Sequence, residues 1–237
     1  MHITTVFRDA FEILLPRCCL VCERPLVRQS LCGGCIPQAR LHSSDLTAWS
    51  QLPFRAVHSI WEYRGRERRY ITAMKYKPSI SLARRAGKEL ARALESINLP
   101  KHFDALVAIP SSRKSFRSRL FNQAEVLAQE IAKQQQLPCA PHALRHLGYA
   151  AAQASLTPRK RLSNVKQAFA ANPKAVQGSR ILLIDDVLTT GATVASAAHS
   201  LLAAGALSIE VAVVARSEAW QTRLALLEKD FSAPQAG

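Results

Sequence analysis

Residues Arg180 to Ala198 read RILLIDDVLTTGATVASAA, and this stretch constrains the fold more than any other. The apolar run Ile181–Ile184 suits a strand buried on both faces. Two adjacent acids follow, Asp185 and Asp186, then Val-Leu and the turn Thr189-Thr190-Gly191-Ala192-Thr193. Beyond the turn, Val194, Ala197, Ala198, Leu201 and Leu202 recur at helical spacing. Strand, small-residue turn and helix place an anion at a helix N-terminus, where free N–H groups and the positive dipole end converge. Gly191 is expected to let the backbone approach the ligand, with threonine hydroxyls as further donors. Paired carboxylates would repel a phosphate, so ribose hydroxyls or a phosphate-bound magnesium ion are their natural partners. The stretch reads as a grip for a sugar phosphate.

This pattern resembles the thirteen-residue signature of type I phosphoribosyltransferases: four apolar residues, two acids, two apolar residues, then T-T-G-A-T. The resemblance implies that Asp185 and Asp186 hold the ribose hydroxyls of phosphoribosyl pyrophosphate. It implies that Thr189, Thr190, Gly191, Ala192 and Thr193 hold the 5-phosphate.

Five of six cysteines lie between Cys18 and Cys35. Cys19-x-x-Cys22 and Cys32-x-x-Cys35 form two knuckles separated by nine residues. Paired knuckles place four thiolates around a structural zinc with no open position for a substrate. Disulfides and a rubredoxin-type iron site are the alternatives. Cys18 could replace Cys19 as a ligand, and Cys139 is expected to pack in the core.

The formal charge is +15 over 237 residues, which calls for an anionic partner, nucleic acid first among them. From Arg64 to Arg119 there are fifteen Lys/Arg against four acids. No stretch has the length of a transmembrane helix. Residues 1–18 carry Arg8, Asp9 and Glu12 within an apolar stretch, which suits an amphipathic helix and not a signal peptide. The expected location is the cytoplasm, with the inner membrane face as a peripheral alternative.

Leu41–Leu52 is polar and reads as a linker. Ala56–Tyr63 reads as a strand, Glu67–Lys75 as a helix, and Ser79–Leu94 as a second helix whose outer face carries Arg84, Arg85, Lys88 and Arg92. Cations interleaved with Tyr63, Tyr70 and Tyr76 suit single-stranded nucleic acid. A core fold is expected from Phe103: a strand over Asp104–Ile109, a turn at Pro110-Ser111-Ser112, a basic loop from Arg113 to Arg119, and a helix capped by Asn122. Leu144–Ala168 reads as a long polar loop of the kind that serves as a lid. Its candidates for reaching phosphates are Arg145, Gln153, Arg161, Asn164 and Lys166. Gly205 is expected to end the helix after the acid motif, followed by a strand over Ile209–Ala215, a helix to Leu227 and a frayed tail. Alternating strands and helices imply an α/β fold with a parallel, doubly wound sheet and flanking helices. The expected divisions are 1–50 (helix and ribbon), 51–102 (basic segment), 103–230 (phosphoribosyltransferase-like domain) and 231–237 (tail).

Taken in order, P-R-C-C-L-V-C, K-Y-K at Lys75–Lys77, F-N-Q-A-E at Phe121–Glu125, R-L-S-N-V-K-Q-A-F at Arg161–Phe169 and the acid motif make the chain similar to the ComF/GntX family. Its members are associated with DNA uptake in natural transformation. The resemblance implies a protein for uptake and handling of single-stranded DNA with a phosphoribosyl pyrophosphate pocket. It implies zinc in the ribbon, magnesium with the pyrophosphate, and other DNA-uptake proteins as partners. An active transferase and a sugar-phosphate sensor are the alternatives. Pyrophosphate or lid candidates are Ser111, Ser112, Arg113, Lys75 and Arg161, and nucleic-acid candidates are Arg84, Arg85, Arg117 and Arg119. Two positions depart from the family pattern: Leu120 stands where Gly is usual, and Ala150 where Thr precedes the lid glutamine by three residues.

Overall fold

The computed structural model describes residues 17–26, 31–77, 79–112, 116–117, 119–148 and 168–232. Its centre is a five-stranded sheet ordered β3-β4-β9-β8-β5, with β3 His42–Asp45, β4 Ala56–Glu62, β5 Ala105–Ala108, β8 Arg180–Leu188 and β9 Ser208–Arg216. All neighbours run parallel except β3, which lies antiparallel on β4. Among the described residues, two two-stranded ribbons complete the strands: β1 Arg17–Cys18 with β2 Pro25–Leu26, and β6 Leu144–His146 with β7 Phe169–Ala171.

Successive residues of a strand point to opposite faces, and β8 shows the consequence. Leu182 and Ile184 enter one core with α1 (Gly65–Tyr76), α2 (Ile80–Leu94) and α3 (Gln123–Gln135), whereas Ile181 and Leu183 enter another with α4 (Ala192–Ala203) and α5 (Ala219–Ser232). A continuous apolar run is therefore needed, because both faces are covered. Helices α2 and α3 meet closely at Gly87, where a Cβ would lie 2.9 Å from Glu130 Cβ and 3.2 Å from Leu127 Cα. The cysteine ribbon shares the first core: Cys19, Leu31 and Cys35 are buried in it. An ion pair of 2.7 Å between Glu23 and Lys77 joins the ribbon to the end of α1.

The sheet begins earlier than Phe103. The polar stretch expected as a linker contains β3, an edge strand whose side chains are half exposed, so it needs no apolar run. Ser43 Oγ lies 2.8 Å from His58 Nδ1 across that pair. The strand within the basic segment, β4, lies inside the sheet against β9. Strand β8 continues through the acids to Leu188, because β9 keeps pairing with it as far as Leu188↔Arg216. The expected lid opens with β6, and residues 149–167, with Ala150, Gln153, Arg161, Asn164 and Lys166, lie outside the described residues, as do the N-terminal helix, Arg113 and the tail beyond 232. Cys139 is half-buried and its thiol faces the Ala128 carbonyl at 3.5 Å.

Candidate functional site

The site forms where β8 outlasts its neighbour. Strand β5 pairs as far as Ala108↔Ile184, and the Ile109 N–H donates to the Ile184 carbonyl at 2.9 Å. The chain then turns away through Pro110 and Ser111, so Asp185 and Asp186 border an open cavity instead of another strand. Beyond Leu188 the chain turns through Gly191 (φ +79°) into α4. Gly191 stands at the N-cap position and brings no side-chain cap of its own, so beyond Ala192 the first-turn N–H groups of Thr193 and Val194 have no cap from it. Thr190 Oγ1 accepts from the Ala192 N–H at 3.4 Å. The φ of +79° at Gly191 strains any side chain, and a Cβ there would also come within 2.6 Å of Leu227 Cδ1, the movable end of a side chain on α5.

The cavity has a volume of about 290 Å³ and is lined by Ser111, Ser112, Arg119, Gln123, Asp185, Asp186 and Thr193, among others. Asn122 builds its floor. Its carbonyl oxygen accepts from the Ala124 N–H and the Ser111 hydroxyl, and its amide donates to the Ile109 carbonyl and to Glu125 Oε1. That one side chain caps α3 and pins the strand-to-helix loop. Arg119 Nη1 donates to Gln123 Oε1 at 3.3 Å, while Arg119 Nε and Gln123 Nε2 are buried without a hydrogen-bond partner. Buried donors left unpaired at a cavity wall suit an anion. Arg119 was read from sequence as part of the nucleic-acid face; the structure places it on the cavity wall.

Among the described residues, the sulfurs of Cys19, Cys22, Cys32 and Cys35 lie within 4.8 Å of one another. Four thiolates about 2.3 Å from a tetrahedral ion stand roughly 3.8 Å apart, and Cys22 Sγ lies 3.7 Å from Cys32 Sγ. The set therefore could hold a metal such as zinc. Burial works against ionisation of Cys19, but N–H groups of Cys32, Cys22 and Val21 directed at its sulfur bring it down to about 6. Cys18 is exposed and stands outside the set.

The basic helix face is exposed at Arg84, Arg85, Lys88 and Arg92, and Arg117 is exposed as well. The tyrosines do not form the interleaved platform expected. Tyr70 is buried and donates to the Leu82 carbonyl, and Tyr63 is half-buried with the Arg68 guanidinium 6.0 Å from its ring. Tyr76 alone of the three is exposed. Arg145 is exposed on β6.

Lys75, expected at the pyrophosphate end, is committed to Asp186: its Nζ lies 3.0 Å from Oδ1. Asp185 receives the Asp186 backbone N–H at 2.8 Å. Burial, then the Asp186 charge, push the Asp185 carboxyl up to about 7, against the opposing pull of that N–H, Lys75 and Arg119. An acid whose folded pKa is raised stabilises the fold below its unfolded value of 3.8, and that contribution is lost as pH rises through about 7. Asp185→Asn is therefore expected to melt several degrees above wild type at pH 8, with the gap narrowing as pH falls toward 4. A gap independent of pH would contradict the burial account.

The phosphoribosyl transferase domain family matches residues 81–225. The DNA utilization protein YhgH of Salmonella typhimurium is 34% identical over 208 residues, covering 84% of each chain. The competence protein ComFC of Bacillus subtilis is 27% identical over 212 residues, covering 84% of this chain and 77% of that protein. A solved glutamine phosphoribosylpyrophosphate amidotransferase from B. subtilis aligns with a TM-score of 0.43 at 17% identity, over 69% of this chain and 35% of that one. With a mostly parallel sheet, the acid-and-threonine turn over its cavity, and a four-cysteine ribbon, the chain belongs to the phosphoribosyl transferase domain family and, within it, to the ComF proteins.

Proposed function

We propose that this protein handles single-stranded DNA during uptake, and that its phosphoribosyl transferase domain binds phosphoribosyl pyrophosphate with magnesium. The names of its relatives support the first half. One observation carries the second: the acid pair, Thr193 in the first turn of α4, and Arg119 with Gln123 line a single cavity. In this reading Asp185 and Asp186 accept from the ribose hydroxyls, and the turn Thr189–Thr193 holds the 5-phosphate. Ser111, Ser112, Arg119 and Gln123 meet the pyrophosphate. Asp185 and Asp186 are the carboxylates of the cavity that could meet a magnesium ion carried on the pyrophosphate, which would offset the pyrophosphate charge. Among the described residues no helix is long and apolar enough to cross a membrane, and we place the protein in the cytoplasm.

The unpaired Arg119 Nε and Gln123 Nε2 also favour a second reading, in which transfer of ribose 5-phosphate to an acceptor persists. Donors fixed where pyrophosphate departs would stabilise the developing charge without reorganisation.

Phosphoribosyl pyrophosphate with magnesium at a hundredfold over its dissociation constant is expected to stabilise the wild type by roughly 2.7 kcal/mol, a rise of several degrees in Tm. The Asp185→Asn/Asp186→Asn double variant is expected to show no rise over its own baseline. No rise in wild type would refute the pocket assignment. For the ribbon, purified protein is expected to carry about one zinc per chain. Chelation should lower Tm, because Cys19 and Cys35 are part of the main core. Elemental analysis showing no zinc in folded protein would contradict this.

A further inference from the structure

Three large apolar side chains stand out of the surface around Arg119, a residue of the cavity wall. Tyr76 is 73% exposed, Phe116 50% and Leu120 74%. Arg119 ties them together: it lines the cavity, its guanidinium lies 5.9 Å from the centroid of the Tyr76 ring, and it precedes Leu120. Leu120 and Phe116 are one turn apart, joined by a 2.8 Å bond from the Leu120 N–H to the Phe116 carbonyl.

Leu120 is the informative member. Its φ is +66°, the left-handed region in which a leucine is strained and a glycine is not. The side chain gains nearly no burial within this chain to offset that strain. A strained, exposed leucine next to a residue of the cavity wall gains only if something else covers it. The surroundings state what that is. Arg117 is exposed, and the whole segment Arg64–Arg119 carries fifteen cations against four acids. Apolar and aromatic faces set among cations suit unstacked bases with their phosphates.

We propose that Tyr76, Phe116 and Leu120 form a stacking rim on which bases of a single DNA strand lie, flanked by Arg117, around Arg119 of the cavity wall. This rests on the DNA-handling reading above and moves its contact point from the α2 face, Arg84 and Arg85, to the rim.

The test is fluorescence anisotropy of a labelled oligo-dT strand with the full chain, titrated at several salt concentrations. Tyr76→Ala, Phe116→Ala and Leu120→Gly are each expected to bind roughly tenfold more weakly with an unchanged salt slope. Arg117→Ala is expected to reduce the slope by about 0.7. Leu120→Gly separates recognition from folding, since relief of backbone strain should raise its Tm while its DNA affinity falls. Wild-type binding that survives all three rim substitutions and is lost on Arg84→Glu/Arg85→Glu overturns the rim and leaves the DNA reading standing. No wild-type binding to the strand even at low salt overturns both. Rim-dependent binding to anionic lipid vesicles without binding to the strand overturns the proposal in favour of a membrane contact.

Discussion

The ion pair between Lys75 and Asp186 is the interaction on which the site depends. Two adjacent carboxylates beside a helix N-terminus would, if both were charged and unpaired, drive a phosphate away. The pair spans 3.0 Å with both side chains mostly buried, and it neutralises one acid. Burial and the neighbouring charge raise the other to about 7. The acids can then accept hydrogen bonds from neutral hydroxyls while leaving the adjoining N–H groups of α4 attractive to an anion. Breaking such a pair by removing one member leaves a buried charge uncompensated, at about 3 kcal/mol or more.

That lysine also explains why the ribbon and the helices are one body with the sheet. Lys75 ends α1 on Asp186, and Lys77 reaches Glu23 in the ribbon at 2.7 Å. Tyr76 between them points outward under the Arg119 guanidinium. One tripeptide thus meets the cysteine ribbon, the acid pair and the solvent-facing rim. The ribbon's buried cysteines and Leu31 pack into the same core as α1, so the metal set and the cavity are connected through packed side chains and not through a linker.

Much of this was legible in the sequence, for reasons that differ by residue. The acid motif announced itself because a buried strand, paired acids and a glycine turn have no joint packing purpose. Asn122 was legible as a cap because Ala124, Leu127, Ala128 and Ile131 behind it have helical spacing. The four cysteines were legible from spacing, and burial then separates Cys19 from Cys18. The partner of Lys75 was not legible, since 111 positions of sequence separate it from Asp186. Edge strand β3 was hidden because a strand with one open side carries polar residues. Arg119 was grouped with the surface cations because charge alone does not say which way a side chain points. The glycine at 191 was legible as a turn residue, and its φ of +79° bears that out; the Leu227 side chain beside it belongs to tertiary packing that the sequence does not display.

The most direct test of the charge-balance account is isothermal titration calorimetry of magnesium-bound phosphoribosyl pyrophosphate with wild type and with Lys75→Met, at a temperature where both are folded. Lys75→Met retains the length and apolar stem but leaves Asp186 without its counter-charge. The account predicts an affinity at least tenfold weaker in the variant, about 1.4 kcal/mol. Equal affinities would show that the acid pair tolerates the ligand without Lys75, and the central claim would fail.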